Sequence, residues 1–147
     1  MYTSETKLEV RYYETDLMGI VHHSNYIRYF EYGRHIALVN LNLPIQEIER
    51  RGIMMPVVNV SCNYKTPARH GDWLRIVSTI KEPPKVKIVV DTIIYSEEGD
   101  VVCTGSVTLG FINSQTRRPT RVPDFVAEIF APYFEQGFNN NSENPKQ

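Results

Sequence analysis

Asp16, Gly19, His22, His23 and Ser24 fall within one short stretch, Tyr13 to Tyr26, which reads YETDLMGIVHHSNY. A carboxylate such as Asp16 is ionised at neutral pH and offers a nucleophile or a general base. A helix starting just beyond it offers unpaired N–H groups and partial positive charge, the donors that a developing oxyanion needs. Gly19 lets the intervening loop take an unusual backbone conformation and lets a substrate come close. These parts suit acyl transfer.

His22 and His23 are adjacent, so their side chains are expected to diverge, and no H-x-x-x-H spacing is present to suggest a metal site. His23 is expected to assist by hydrogen bonding and His22 to be structural, while His35 and His70 take packing and turn roles. Glu14 reads as a surface charge at a strand end. Rival nucleophile systems are missing. Gly105 to Gly110, GSVTLG, is not G-x-S-x-G and sits in a strand pattern, and there is neither a Walker loop nor a dinucleotide fingerprint. Cys62 and Cys103 make no CxxC and read as small buried strand residues, a single bridge between them staying open.

The elements that must position the loop follow from periodicity. Lys7 to Tyr13 alternates as a half-buried strand. Ser24 is a candidate N-cap for a helix from about Asn25 to Leu41, with Ile27, Phe30, Ala37, Leu38 and Leu41 on one face. Gly33 and Ala37 would let that helix lie close against a sheet. A short helix is expected from Ile45 to Arg51, entered at Pro44 and closed by Gly52. Four β-branched runs follow, Val57 to Lys65, Trp73 to Glu82, Lys85 to Ser96 and Val101 to Asn113, joined by short turns as in an antiparallel sheet. Val122 to Phe134 suits a closing amphipathic helix. The pattern predicts an α+β domain, a five-stranded antiparallel sheet curled around one long central helix, over residues 1–136. Residues 137–147 have almost nothing to bury and read as a disordered tail.

The chain has 147 residues and a formal net charge of −1, so no global field draws it to nucleic acid or an anionic membrane. No apolar run approaches the roughly 20 residues that span a bilayer, and no signal peptide is evident. A reducing cytoplasm is the expected location.

Arg11 to Arg34, RYYETDLMGIVHHSNYIRYFEYGR, joined to that architecture, resembles the hotdog-fold acyl-CoA thioesterases. More narrowly it is similar to the group that holds the 4-hydroxybenzoyl-CoA thioesterases and the Tol-Pal-associated thioesterases. The shared features are a strand end, a D-x-x-G-x-V-x-H/Y-x-x-Y loop and the helix. The resemblance implies Asp16 as the catalytic carboxylate and the His23 backbone N–H facing the thioester carbonyl, with His23 also in a supporting catalytic role. It brings Tyr12 or Tyr13 near a tyrosine that some members use, and Tyr13 is carried forward as a candidate. Gly19, Val21 and Ser24 are loop and oxyanion candidates, and Asn25, Tyr26, Asn59 and Ser61 are substrate-binding candidates.

Lys85, Lys87 and Arg118 fall near family positions that hold CoA phosphates. CoA would be part of the substrate, so no cofactor is implied. The family forms homodimers, often paired into tetramers, with each site at a subunit interface. The expected activity is hydrolysis of acyl-CoA to acid and CoA, with Asp16 attacking to give a mixed anhydride or activating water. The alternatives are an aromatic thioesterase, such as one acting on dihydroxynaphthoyl-CoA, and a non-catalytic protein that binds an acyl carrier or partner.

Overall fold

The central helix buries a stripe of side chains, and the rest of the chain wraps that stripe. The computed structural model describes residues 1–134; the expected tail from residue 137 lies outside them. Among the described residues the order is β1 (Tyr2–Glu9), α1 (Ser24–Val39), α2 (Ile45–Arg50), β2 (Ile53–Met54), β3 (Val57–Tyr64), β4 (Trp73–Ile80), β5 (Lys87–Tyr95), β6 (Val101–Gly110), β7 (Ile112–Asn113) and α3 (Asp124–Phe130). Five strands form one antiparallel sheet in the order β1-β4-β5-β6-β3, and β2 pairs with β7. This is the expected α+β hotdog architecture.

What lets α1 settle into the sheet is a row of small residues across its inner surface. Ser4 stands opposite Ser78, Ser78 opposite Thr92, Thr92 opposite Gly105, and Gly105 opposite Cys62. α1 packs onto that row closely. A Cβ added at Gly33 would come within 2.6 Å of Ile76 Cγ2 and 2.8 Å of Ser78 Oγ, and one at Gly105 within 2.4 Å of the Phe30 ring. Tyr29, Phe30 and Ala37 are buried beside Gly33, while the alternating inward residues Leu74, Ile76, Ile80, Ile88, Val90 and Ile94 complete the core.

Several boundaries differ from expectation. β1 begins at Tyr2 and ends at Glu9, because Tyr12 to Glu14 turn into a short 3₁₀ segment in which the Arg11 N–H donates to the Glu14 carboxylate. Ile27 is 42% exposed; the helix turns Tyr26 and Tyr29 inward in its place. The last expected strand breaks at Phe111 into β6 and β7, and the last helix spans only Asp124–Phe130. Cys62 and Cys103 are free thiols with sulfurs 3.2 Å apart. Cys103 is buried, whereas Cys62 is only half-buried.

Candidate active site

The loop after β1 is a closed structure. The Asp16 N–H donates to the Ile20 carbonyl at 2.8 Å, and the His22 N–H donates to the Glu14 carbonyl at 2.9 Å. Within that closure the Met18 N–H donates to Asp16 Oδ1 at 2.8 Å, and the Gly19 N–H to the Asp16 carbonyl at 3.0 Å. Gly19 has φ of +78°, and a Cβ there would meet nothing within 4 Å. Backbone conformation, not space, therefore calls for glycine. The Asp16 side chain is half-buried, and its Oδ2 has no hydrogen-bond partner among the described residues.

A second turn braces the loop from below. The Val21 N–H donates to the Ala68 carbonyl at 2.8 Å, and the Val10 N–H to the Asp72 carbonyl at 2.9 Å. Asp72 in turn accepts the Arg69 N–H at 2.9 Å. The β3–β4 connection thus holds both the start and the end of the loop segment that carries Asp16.

At the helix entrance the donors can be counted. The N–H groups of Asn25 and Tyr26 go to the carbonyls of His22 and His23, and the Ser24 N–H goes to His22 Nδ1 at 3.2 Å. The His23 N–H has no acceptor among the described residues. Ser24 is therefore not the cap that its type suggests. It is the first helical residue, its hydroxyl lies 2.8 Å from His22 Nδ1, and the imidazole accepts its N–H. Nor do the two histidines diverge, since their rings stack with centroids 4.2 Å apart. Tyr64 of β3 reaches the same place, its hydroxyl donating to the His23 carbonyl at 3.3 Å and its ring 5.5 Å from that of Tyr26.

Glu14 is the largest departure from expectation. It is 4% exposed, not a surface charge. Its carboxylate accepts from the Arg11 N–H, the Arg11 guanidinium and the Tyr29 hydroxyl at 2.8–3.0 Å. Burial pushes this carboxyl up, and those three donors more than offset that, leaving it below the usual carboxylate value. Tyr29 is pushed up by burial and by Glu14, and so stays a donor. Nothing in residue type distinguishes Glu14 from a solvated strand-end charge; the only available signal was a tyrosine one helical face further on.

The other candidates divide. Tyr13 is 70% exposed beside the Arg11 guanidinium, and among the described residues its hydroxyl makes no hydrogen bond to Asp16. Asn25 is buried, its side-chain amide donating to the Glu14 carbonyl at 2.8 Å, so it braces the loop. Tyr26 is buried between Tyr29 and Tyr64. Asn59 and Ser61 lie exposed on β3. Lys85 and Lys87 line an open concavity of about 680 Å³ at the β4–β5 turn. Arg118 is not among the residues lining it: its carbonyl accepts the Asn113 N–H, and it is Val122 whose N–H donates to the Lys85 carbonyl.

Residues 10–130 match the family model described as the thioesterase-like superfamily. The long-chain acyl-CoA thioesterase FadM of Escherichia coli is 30% identical over 78% of this chain and 86% of its own. The acyl-CoA thioesterase YbgC of Helicobacter pylori is 30% identical over 84% and 96%. Among solved structures, a DHNA-CoA thioesterase from Staphylococcus aureus superposes with a TM-score of 0.85 at 30% identity, covering 97% of this chain and 96% of that one.

Proposed function

The chain belongs to the thioesterase-like superfamily of hotdog fold, with acyl-CoA thioesterases among its relatives, and on that premise we propose that it hydrolyses acyl-CoA to free acid and CoA. The observation that carries this reading is one closed loop with the half-buried Asp16 carboxylate at one end and the unpaired His23 N–H at the other. Asp16 attacks the thioester carbonyl, or takes a proton from the water that does. The negative charge that develops on the carbonyl oxygen is met by the His23 N–H at the positive end of α1. The C–S bond then breaks and CoA leaves as a thiolate; the water route gives the acid directly, and the other leaves an Asp16 anhydride that a water hydrolyses to acid and free Asp16. Lys85, Lys87 and Arg118 offer charge for the CoA phosphates.

The reading includes a homodimer. β3 is an edge strand whose residues are exposed on both faces apart from Cys62, and four open concavities of the single chain include neither Asp16 nor His23 in their linings. A second copy paired along β3 would enclose the site, with the partner's strand beside the loop.

An aromatic acyl group is the second reading. The rings of His23, Tyr26 and Tyr64 gather at the helix entrance, and the Staphylococcus aureus relative is named a DHNA-CoA thioesterase. The narrower placement with the 4-hydroxybenzoyl-CoA and Tol-Pal-associated group rests on the Asp16 to Tyr26 loop motif. Thiol release from a panel of aliphatic and aromatic acyl-CoAs tests all three. Asp16→Asn is expected to lower kcat by about 10²–10⁴-fold; unchanged turnover would sink the reading. Single turnover in oxygen-18 water reports the anhydride route where water opens the anhydride at the Asp16 carbonyl, since the label then enters Asp16 and an unlabelled Asp16 oxygen leaves with the acid.

A further inference from the structure

Among the described residues Glu14 is the one buried Asp or Glu. Withdrawing a carboxylate from water is costly unless donors replace its hydration, and here each replacement leads to a different part of the frame around the site. The carboxylate takes the Arg11 N–H and guanidinium, where β1 ends, and the Tyr29 hydroxyl, in the second turn of α1. The Glu14 carbonyl takes the Asn25 side-chain amide, in the first turn of α1, and the His22 N–H, one residue before the free His23 N–H. One residue thus grips the strand exit, two turns of the helix and the far end of the loop. Asp16 is two positions away along that loop.

We propose that Glu14 is a positioning residue for thioester hydrolysis: its carboxylate, held by Arg11 and Tyr29, anchors the main chain whose carbonyl takes Asn25 and His22, and so fixes the Asp16 carboxylate relative to the His23 N–H. The inference rests on the reading that Asp16 and the His23 N–H do the chemistry. Its physical content is geometric. Nucleophile and oxyanion donor must meet the two sides of one carbonyl group, and a displacement of about 1 Å between them costs on the order of 100-fold in rate. CoA, by contrast, is expected to be gripped by its phosphates at the β4–β5 turn, away from this network. Loosening Glu14 should therefore slow turnover and leave binding alone.

The test compares Glu14→Gln, Tyr29→Phe and Asp16→Asn with the wild type in the intact protein, using the best substrate of the acyl-CoA panel. Coenzyme A titrated by calorimetry reports the fraction of competent sites. Glu14→Gln keeps the size of the side chain but turns an NH₂ group toward Arg11. It should lower kcat by about 10–100-fold, with KM within about twofold and an unchanged CoA stoichiometry. Tyr29→Phe removes a single hydroxyl and should give a smaller loss of the same kind. It also decides the matter if Glu14→Gln does not fold.

The proposal is overturned if both variants keep kcat within about twofold of wild type while Asp16→Asn is inactive. It is equally overturned if the loss of turnover tracks a loss of CoA-binding sites, or falls on KM alone. An active Asp16→Asn variant would instead overturn the catalytic reading itself, and that variant alone distinguishes the two failures.

Discussion

Glu14 carries an electrostatic consequence apart from catalysis. Its carboxyl is held below the ordinary value, because the donors from Arg11 and Tyr29 outweigh the burial that pushes it up. A carboxyl depressed in the folded state contributes stability that is present above its unfolded value, about 4.3, and is lost as pH falls through the folded value. Glu14→Gln should therefore be less stable than wild type by about 1–3 kcal/mol at pH 7. That difference should shrink below about pH 4. Urea unfolding at a series of pH values measures it, and a difference independent of pH would contradict the linkage. Residue type alone did not reveal this role, because Glu after Tyr at a strand end is ordinarily solvated. Ser24 misled for a related reason. Serine is a common cap, but here the helix starts at Ser24 itself, and the Asn25 and Tyr26 N–H groups go to the carbonyls of His22 and His23. Gly19 was legible, since the freedom of glycine at positive φ is a local property.

The elements were legible wherever apolar side chains alternate, and least so where the inner surface is polar. β4 and β5 read to within two residues from their β-branched runs and β6 up to its break at Phe111, whereas the first half of β1 did not. Its inward positions include Tyr2, Ser4 and Thr6, opposite Ile80, Ser78 and Ile76, and this is where the sheet must be thin to admit α1. Gly33 marks the closest approach. Gly33→Ala would drive a methyl against Ile76 and Ser78, and overpacking of that kind costs about 1–3 kcal/mol. Ser78→Ala should behave in the opposite sense. The Ser78 hydroxyl is buried without a partner among the described residues, so its removal should be neutral or stabilising by up to about 1 kcal/mol. Thermal unfolding of the two variants checks both signs. A loss of stability in Ser78→Ala comparable to that in Gly33→Ala would show that the hydroxyl has a partner after all.

At the scale of the whole molecule, β3 is the feature that a single chain leaves unexplained. Val57, Val58, Val60 and Tyr64 are 37–63% exposed along an edge strand, and an open apolar edge invites pairing with another copy. Pairing of two identical strands about a two-fold axis is antiparallel, so residue i meets residue j of the partner and j meets i, and only residues at the axis face their own counterparts. Lysines introduced at Val58 and Val60 would bring four positive charges to that one seam, and charge on a strand edge opposes edge-to-edge pairing. The wild type should sediment at twice the 17.0 kDa chain mass or a multiple of it, and Val58→Lys/Val60→Lys should shift toward the single chain. If the partner's β3 completes the site beside Asp16 and His23, thioesterase activity should fall along with dimer content as the variant is diluted. A wild type that sediments as a monomer would remove the dimer. A monomeric variant with full activity would show that the loop and helix entrance of one chain suffice.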